Sequence, residues 1–321
     1  MTERPLVTVC LLAYNQARYI RQCAESLLAQ ETDFPFLILA HDDASTDGTD
    51  KILSEYAERY PDRFRLIAEE ENTYSKDTRV MARHMWPLID SPYTAICEGD
   101  DYWTDPRKLA IQVGYLEEHP EYALSVSNAH LVNGEGEPAG ELAPYAADTD
   151  MPVEDLIAGG GGFIATASVV TRTAYLRDLP EYYFRSTVGD APLQLYLASL
   201  GKTRWHAGRL CAYRVNAAGS WTLAQLTGKR ENYIRFHTSM ADMLTGFDEA
   251  TGGAYHTAVG TAVARHRFEV ARLRCDLKTM RSAENAGFYR AMTGKERRRV
   301  YLMKYCPWAV ALYRRFRFGG K

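Results

Sequence analysis

The sequence has no stretch that is both long enough and apolar enough to cross a membrane. Its longest uncharged run, residues 156–171, contains sixteen residues and includes four consecutive glycines, which is too short and too glycine-rich for a spanning helix. None of the six cysteines forms a C-x-x-C pair, and the first residues lack the basic-then-apolar order of a signal peptide. We therefore expect a reducing, cytoplasmic location.

The sequence also lacks a large excess of either positive or negative charge. The 321 residues include 38 basic and 41 acidic side chains, and the net charge of −3 gives no reason to expect nucleic-acid binding. The charge is unevenly distributed, because residues 290–321 contain ten lysines and arginines and a single acid, Glu296. A basic end on an acidic body indicates a partner for that end, and an anionic surface is one candidate. The 46% hydrophobic content is typical of a globular protein.

Short β-rich runs alternate with helix-like stretches over the first 130 residues. The predicted strands are residues 6–13, 36–40, 64–68, 93–97 and 123–132. The predicted helices between them are residues 17–30, 49–60, 80–89 and 108–119. This order predicts an α/β fold with right-handed crossovers and a mostly parallel sheet with flanking helices. Ligands of such sheets lie beyond the carboxyl ends of the strands.

The regular alternation ends after residue 132. Residues 133–150 are polar and rich in glycine, proline and acid, so we expect an exposed loop there. The next predicted elements are a strand at 163–171, a helix at 192–200, and short strands at 203–206 and 210–213. From residue 226 the pattern becomes helical. We therefore predict a first domain over residues 1–222 and a helical C-terminal region with a basic tail over residues 223–321.

Two acidic clusters directly follow predicted strands. Asp42 and Asp43 come after the second strand, and Glu98, Asp100 and Asp101 come after the fourth. Three carboxylates within four residues repel one another unless a cation or a donor is present. Carboxylates suit Mg²⁺ or Mn²⁺, which bind together with substrate phosphates. The second cluster therefore predicts a metal site for a phosphate-bearing substrate, whereas a turn with a helix N-cap is an alternative for the first.

An ordered set of motifs resembles family 2 glycosyltransferases of the GT-A fold, especially bacterial enzymes that build capsule, lipopolysaccharide and other surface glycans. The motifs are residues 9–15 (VCLLAYN), 42–49 (DDASTDGT), 71–76 (ENTYSK), 98–103 (EGDDYW) and 104–109 (TDPRKL). The resemblance extends over about residues 5–222. It implies an inverting enzyme that uses Mn²⁺ or Mg²⁺ and moves a sugar from a nucleotide-diphosphate sugar to an acceptor hydroxyl. The acceptor would be a surface glycan or a lipid-linked glycan.

The resemblance also implies roles for individual residues. The residues expected to hold the base and ribose of the donor are Ala13, Tyr14, Asn15 and Asp43. The residues expected to meet the ribose and diphosphate are Glu98, Gly99 and Asp100. Glu98 stands where many relatives have aspartate, so the predicted metal ligands are Asp100 and Asp101. Tyr102 and Trp103 either stack on a sugar or pack in the core, and both alternatives remain open.

The expected catalytic base is Asp190, because the family places an aspartate or glutamate at the start of a helix on the acceptor side. An ordinary N-cap is the alternative for Asp190, and both roles can coexist. Residues 213–221 resemble the segment that closes over the donor diphosphate, where Arg214 is a candidate contact. Asn216 stands where relatives often have histidine, so the metal would receive an oxygen of Asn216 or a water there.

Several other features have no assigned chemistry. The eight histidines show no spacing typical of a metal site, and a structural role is expected for His41. The glycines at 159–162 lack the ending of a P-loop and are expected to form a flexible segment near the acceptor mouth. No motif specifies the sugar, the nucleotide or an oligomeric state.

Two other functions are weighed against this one. A sugar-phosphate nucleotidyltransferase would need a glycine-rich loop after the first strand, where this chain has AYNQAR at residues 13–18. A non-catalytic module derived from a glycosyltransferase would bind a glycan or another partner. The intact carboxylates at Asp43, Asp100, Asp101 and Asp190 argue against such a module.

The tail carries its own prediction. Residues 295–316 place basic side chains beside aromatic and aliphatic ones, a composition typical of a segment at an anionic lipid surface. Pro307 interrupts any helix there. Packing of the tail on the catalytic domain is an equally weighted alternative. If the tail binds lipid, the protein lies peripherally on the inner face of the membrane.

Overall fold

The structure is a computed structural model, and it describes residues 4–74, 76–215 and 229–308. The chain divides into two compact units, Met1–Ala224 and Gln225–Lys321. The predicted domain boundary near residue 222 falls outside the described residues and stays a prediction. Within the described part of the chain, no helix has the length and apolar character that crossing a bilayer requires.

The first unit is an α/β structure. Its strands are β1 (Val7–Ala13), β2 (Phe36–Asp42), β3 (Phe64–Ala68), β4 (Tyr93–Glu98), β5 (Tyr102–Trp103), β6 (Tyr122–Val132), β7 (Pro138–Leu142), β8 (Thr149–Asp150), β9 (Val170–Arg172) and β10 (Lys202–Arg214). Its α-helices are α1 (Ile20–Leu28), α2 (Thr49–Arg59), α3 (Lys108–Glu118), α4 (Val153–Gly159), α5 (Glu181–Arg185) and α6 (Asp190–Ser199). The predicted α/β fold class is confirmed.

The main sheet has the strand order β3-β2-β1-β4-β9-β6-β10-β5. The pairs β1–β2, β1–β4, β2–β3 and β6–β10 are parallel, and β9 is antiparallel to both of its neighbours. The chain leaves β1 on one side towards β2 and returns on its other side as β4, so the strand order reverses between β1 and β4. A crevice beyond the carboxyl ends of the strands is expected at such a switch point.

The core explains why the first strand has a continuous apolar run. Val7, Val9 and Leu11 on one face of β1 pack with Ile20 and Leu27 of α1. Every residue of β1 except Leu12 is buried, as expected for a strand covered on both faces. The register pairs Leu12 with Glu98 and Ala13 with Asp42. The ends of β1, β2 and β4 are therefore level, and the residues that follow them meet.

Four sequence-based assignments differ from the structure. Residues 133–150 were expected to be a loop, but they contain β7, paired with β6, and β8, paired with β10. The polar composition correctly indicated exposure, since most of β7 is exposed, but exposure does not prevent strand pairing. The two short strands predicted at 203–206 and 210–213 are one strand, β10, with a register irregularity between His206 and Arg209.

The two remaining differences have local causes. The strand predicted at 163–171 is reduced to β9, because residues Thr166–Ser168 form a 3₁₀ turn in which the Ser168 hydroxyl donates to the Ala165 carbonyl at 2.7 Å. The helix predicted at 80–89 is a π-turn at Met81–Met85 followed by a 3₁₀ turn at Trp86–Leu88. Pro87 lacks the N–H that a continuous α-helix would need at that position.

The second unit is helical, as predicted. Its described helices are α7 (Arg230–Ala250), α8 (His256–Leu273), α9 (Leu277–Met280), α10 (Ala286–Ala291) and α11 (Gly294–Tyr305). Val300 of α11 joins a buried cluster with Phe268 of α8 and Met280 of α9. The first part of the basic tail, which includes α11, therefore packs against other helices of the second unit. Residues 309–321 lie outside the described part.

Candidate active site

The loops after β1 and β2 are tied together at the sheet edge. The Asn15 backbone N–H donates to the Ser45 hydroxyl at 2.9 Å, and the Thr46 N–H donates to Asn15 Oδ1 at 2.8 Å. Asn15 adopts a left-handed backbone conformation with φ 51°, which asparagine tolerates better than most residues. Ala13 is buried and its carbonyl accepts the Asp43 N–H at 3.0 Å. Tyr14 is 47% exposed beside them, where it is free of core packing.

Asp43 anchors the segment that follows β3. Its carboxylate is buried and accepts the backbone N–H groups of Thr73 at 2.7 Å and Tyr74 at 2.9 Å. The Thr73 hydroxyl also donates to it. A carboxylate has about four acceptor positions, so this arrangement leaves room for one further donor. The predicted contact with the donor's base and ribose stays a prediction, and Asp43 also has a structural role that sequence analysis did not identify.

Glu98, Asp100 and Asp101 form the carboxylate cluster after β4. Burial raises the pKa of Glu98 to about 8, with the charges of Asp100 and Asp190 adding to the effect. Burial, together with Asp100 and Glu98, raises the pKa of Asp101 well above its usual range. Burial also raises the pKa of Asp100, against the nearby charge of Arg214. In the absence of a cation, the surroundings therefore favour the protonated forms of these carboxyl groups, and a bound cation would favour their charged forms.

The two oxygens of Asp101 differ in their partners. Oδ1 accepts the backbone N–H of Arg214 at 2.8 Å. Oδ2 is buried and has no hydrogen-bond partner among the described residues. An unpartnered carboxylate oxygen inside a cluster of like charges is unfavourable unless a cation or donor completes it. These residues therefore fit a hard divalent cation, with Asp100 and Asp101 as the groups that would hold it. The third predicted ligand, Asn216, lies outside the described residues.

Gly99 allows a close approach that holds Asp100. A Cβ at this position would lie 2.3 Å from Gln16 Oε1 and 2.8 Å from Ile20 Cδ1, so a side chain would displace both. Gln16 Nε2 in turn donates to Asp100 Oδ1 at 3.0 Å. Sequence analysis did not single out Gln16, although its position directly after Asn15 was the available signal. The glycine is thus needed for packing, and its predicted donor contact stays a prediction.

The guanidinium of Arg214 holds the backbone of the loop that carries the carboxylate cluster. It donates to the Asp100 carbonyl at 2.8 Å, to the Asn133 carbonyl at 2.9 Å and to Gln22 Oε1 at 3.0 Å. The side chain is buried and its guanidinium carbon lies 4.4 Å from the centre of the Tyr19 ring. Each of the three guanidinium nitrogens therefore already donates a hydrogen bond to an acceptor in the protein. The predicted contact with the donor diphosphate stays a prediction, whereas the support of the Asp100 loop is observed.

Asp190 is the first residue of α6, and Gly189 occupies the N-cap position. The N-cap alternative is therefore not what the structure shows. Asp190 Oδ1 accepts the Ala191 N–H at 2.8 Å. Burial raises the pKa of Asp190, while that hydrogen bond and the charge of Arg79 oppose the rise. Because its charge acts on both Glu98 and Tyr74, Asp190 lies near the carboxylate cluster.

The glycine-rich segment lies next to this aspartate. A Cβ added to Gly161 would be 4.0 Å from the Ala191 Cβ, and Gly161 and Gly162 are exposed. Gly160 and Gly162 have φ of 68° and 89°, conformations that favour glycine. The segment therefore lies near the first turn of α6, and its expected place near an acceptor stays a prediction.

Trp103 is a core residue rather than a sugar platform. It is 4% exposed, and its indole N–H donates to the Ala167 carbonyl at 2.9 Å. The Lys108 ammonium lies 4.3 Å from the centre of its ring system. Lys108 is completely buried, and this burial lowers its pKa to about 8. Of the two alternatives left open for Trp103, core packing is the one observed.

Three residues distant in sequence meet on the β2–β3 side of the sheet. Glu69 Oε1 lies 3.1 Å from His41 Nε2 and 2.9 Å from His84 Nδ1, a set of ligand types that can hold a metal ion. No sequence pattern predicted this group, because the three positions are far apart in the chain. His41 Nδ1, however, is buried without a partner among the described residues, whereas a metal-bound imidazole normally donates its second N–H. The group fits a hydrogen-bonded support better than a metal centre.

Comparisons with known proteins agree with this geometry. The family described as Glycosyl transferase family 2 matches residues 8–145. The uncharacterized protein Rv1520 of Mycobacterium tuberculosis is 33% identical over 262 residues, which cover 79% of this chain and 71% of the relative. The putative teichuronic acid biosynthesis glycosyltransferase TuaG of Bacillus subtilis is 30% identical over 158 residues, covering 49% of this chain and 60% of the relative.

Solved structures show the same fold at low sequence identity. Residues 1–349 of S. aureus TarS, in complex with UDP, superpose with a TM-score of 0.52 at 17% identity, covering 84% of this chain and 91% of that one. The mannosyltransferase PcManGT from Pyrobaculum calidifontis, in complex with GDP-Man and Mn²⁺, gives a TM-score of 0.51 at 16% identity, covering 100% of this chain and 89% of that one.

Proposed function

The chain belongs to glycosyltransferase family 2 and is a glycosyltransferase, and we propose that it transfers a sugar from a nucleotide-diphosphate sugar to an acceptor hydroxyl with inversion. The observation that carries the proposal is the cluster of Glu98, Asp100 and Asp101 at the switch point of the sheet, with an unpartnered Asp101 oxygen and with Asp190 near it. Family membership also favours transfer over the nucleotidyltransferase and binding-module alternatives.

The donor would lie along the ends of β1, β2 and β4. Asn15 is bonded to Ser45 in the loop after β2, the Ala13 carbonyl accepts the Asp43 N–H, and Asp43 in turn holds Thr73 and Tyr74. Tyr14 is exposed beside them. This arrangement supports a subsite for a base and ribose. Glu98, Gly99 and Asp100 would border the ribose and diphosphate. The nucleotide sugars bound by structurally similar proteins, UDP-GlcNAc in TarS and GDP-Man in PcManGT, support the nucleotide-sugar class.

Mn²⁺ or Mg²⁺ is the proposed cofactor, held by Asp100 and Asp101 with Asn216 as a further candidate ligand. When bound, such an ion neutralises charge on a leaving diphosphate. The chain's own contribution is to fix these carboxylates: Gln16 holds Asp100 at 3.0 Å, and the Arg214 N–H holds Asp101 at 2.8 Å. Preorganised ligands avoid the cost of rearrangement when the substrate binds.

Asp190 is the proposed catalytic base. It would accept the proton of the acceptor hydroxyl as that oxygen attacks the anomeric carbon from the face opposite the leaving diphosphate. Its raised pKa makes its carboxylate a better proton acceptor than an exposed aspartate. A single displacement of this kind, without a covalent glycosyl-enzyme, inverts the anomeric configuration.

The proposed acceptor is a surface glycan or a lipid-linked glycan. The similarity to TuaG, a putative teichuronic acid biosynthesis glycosyltransferase, supports this class. We also propose a cytoplasmic, peripheral location on the inner membrane face. Leu302, Tyr305 and Trp308 are 50%, 65% and 69% exposed at the end of the described chain, and Arg298, Arg299 and Lys304 are exposed around them. Exposed apolar residues among cations support binding to an anionic surface.

The function is tested with a thermal-shift panel of nucleotide sugars that includes UDP-GlcNAc and GDP-mannose, each with and without Mn²⁺. A ligand at one hundred times its dissociation constant adds about 2.7 kcal/mol to the free energy of unfolding. We expect one nucleotide class to stabilise the protein only when the metal is present. Stabilisation by none of the nucleotide sugars, in a protein that melts cooperatively, would contradict the proposal.

A further inference from the structure

Arg79 is a buried arginine that the proposed chemistry does not use. It is 1% exposed, and it forms no ion pair with a carboxylate of the described residues. Burial lowers the pKa of its guanidinium. Removing a guanidinium from water is unfavourable unless its N–H groups find acceptors, so the position of those acceptors indicates what the residue does.

Two of its acceptors lie in the segment that leads into α6, and a third is the neighbouring Thr78 carbonyl at 3.4 Å. Nε donates to the Tyr183 carbonyl at 2.8 Å, and one Nη donates to the Ser186 carbonyl. The guanidinium carbon is also 4.9 Å from the centre of the Tyr183 ring. A Cβ on Gly189 would be 3.7 Å from the other Nη. The guanidinium therefore contacts residues 183–189 up to the residue before Asp190.

The backbone of Arg79 belongs to the donor side of the crevice. The preceding segment contains Thr73 and Tyr74, which Asp43 holds, and the Arg79 N–H itself donates to Asp77 Oδ1 at 2.9 Å. The charge of Arg79 acts on both Tyr74 and Asp190. One side chain thus connects the segment expected to bind the donor with the segment that presents the base.

We propose that Arg79 is a positioning residue that fixes the segment before Asp190 against the donor-side segment, so that the base and the donor sugar keep a set separation. This inference rests on the proposed role of Asp190. It assigns Arg79 no contact with the substrate. A misplacement of about 1 Å between reacting groups can lower turnover about 100-fold, so the loss of this connection affects the reaction more than it affects donor binding.

Arg79 also has an electrostatic effect on Asp190. Among the described residues, the other groups that interact with Asp190 are Glu98, Tyr74 and Tyr183, which bring no positive charge, and the Ala191 N–H. Arg79 opposes the rise that burial causes in the pKa of Asp190. Without the guanidinium, Asp190 would lose its proton only at higher pH, and the acid limb of the activity profile would move to higher pH.

The experiment compares Arg79→Lys, Arg79→Met and a matched control, Arg83→Met. Arg83 is on the same segment but its side chain is 57% exposed, and it lies over the neighbouring Phe184 ring at 4.9 Å. For each variant we measure the melting temperature, the dissociation constant of the nucleotide sugar that binds wild type with Mn²⁺, and kcat for hydrolysis of that donor between pH 5 and 9. Asp190→Asn is measured in parallel.

We expect Arg79→Met to lower kcat by about 10- to 100-fold, with donor affinity within about threefold of wild type and an acid limb moved to higher pH. Arg79→Lys keeps the charge, so it should lower kcat while leaving the acid limb in place. Arg83→Met should match wild type. Unchanged kcat in the folded Arg79 variants, or a collapse of donor affinity in both, would overturn the inference. Wild-type kcat in Asp190→Asn would instead overturn the base assignment on which it rests.

Discussion

The backbone N–H of Arg214 donates a 2.8 Å hydrogen bond to Oδ1 of Asp101 and so connects the end of β10 to the loop after β4. The same residue's guanidinium bonds the Asp100 carbonyl at 2.8 Å. The long strand β10 thereby fixes the carboxylate of Asp101 and the backbone of Asp100, the two residues proposed to hold the metal, although more than one hundred residues separate them from Arg214 in sequence. The second oxygen of Asp101 is left buried and without a partner among the described residues.

Arg214→Met should weaken both stability and metal binding. The substitution removes hydrogen bonds to the Asp100 carbonyl, the Asn133 carbonyl and Gln22, and at about 1 kcal/mol each the loss is about 2–3 kcal/mol. Urea unfolding measures the stability change, and the Mn²⁺-induced thermal shift measures metal binding. Arg209→Met, on the same strand but half-exposed and paired with Glu141, is the control. A normal Mn²⁺ shift in Arg214→Met would contradict the support assigned to Arg214.

Asp190→Asn should leave donor binding near wild type and lower turnover by about 10²–10⁴-fold, the usual contribution of a general base. The asparagine can still accept the Ala191 N–H, so the start of α6 should be kept. Donor affinity and kcat are measured separately on the same preparation. If donor affinity collapses while turnover per bound donor is unchanged, Asp190 contacts the donor and is not the base.

Lys108→Met should change how stability depends on pH. Burial lowers the pKa of Lys108 to about 8, whereas a lysine of the unfolded chain titrates near about 10.4. Between these values the unfolded state binds more protons, so Lys108 makes the free energy of unfolding rise with pH by up to about 1.4 kcal/mol per pH unit. Below pH 8 Lys108 is charged in the folded state, and the cost of burying that charge lowers the free energy of unfolding in full.

The measurement is urea unfolding of wild type and Lys108→Met at pH 7, 8, 9 and 10. The difference between the two proteins should grow in favour of wild type from pH 8 upwards, because groups common to both cancel. Lys51→Met, at an exposed position of α2, should show no such difference. A constant difference across the range would mean that Lys108 is protonated at all these pH values.

Replacing Leu302, Tyr305 and Trp308 by serine should abolish binding to anionic liposomes and preserve the fold. These side chains are largely exposed, whereas Val300, which packs in the buried cluster of the second unit, is left intact. Sedimentation with phosphatidylglycerol vesicles at low salt measures binding, and neutral vesicles are the control. Equal sedimentation of wild type and the triple variant would reject a membrane role for these residues.

Local patterns predicted the catalytic unit's first half well, because its strands are buried on both faces and read as continuous apolar runs. Because these strands could be predicted, the acidic residues that directly follow β2 and β4 could also be identified from the sequence. The residues that position the carboxylates could not be predicted. Gln16 and Arg214 reach the loop after β4, and Arg79 reaches the segment before Asp190, only after the chain has folded. Likewise, Glu69 joins His41 and His84 across separate elements. The periodicity of apolar residues indicates which residues are buried. It does not indicate hydrogen bonds between residues that are far apart in the sequence.

The second half of the unit was harder to predict for a related reason. β7 and β8 are short and largely exposed, so their residues have the polar composition of a loop. Their pairing depends on β6 and β10 and on contacts such as the Tyr122 hydroxyl bond to Asp150 at 2.6 Å. A strand stabilised by its neighbours rather than by its own burial leaves no apolar alternation in the sequence.

The most direct test of a metal-dependent transferase is the release of nucleotide from the bound nucleotide sugar by wild type and Asp101→Asn, each with Mn²⁺ and with chelator. Asp62→Asn, an exposed acid, is the control. The account predicts activity in wild type and in the control only with Mn²⁺, and no activity in a folded Asp101→Asn under either condition. Nucleotide release by wild type in the presence of chelator, or release by folded Asp101→Asn at the wild-type rate with Mn²⁺, would contradict it.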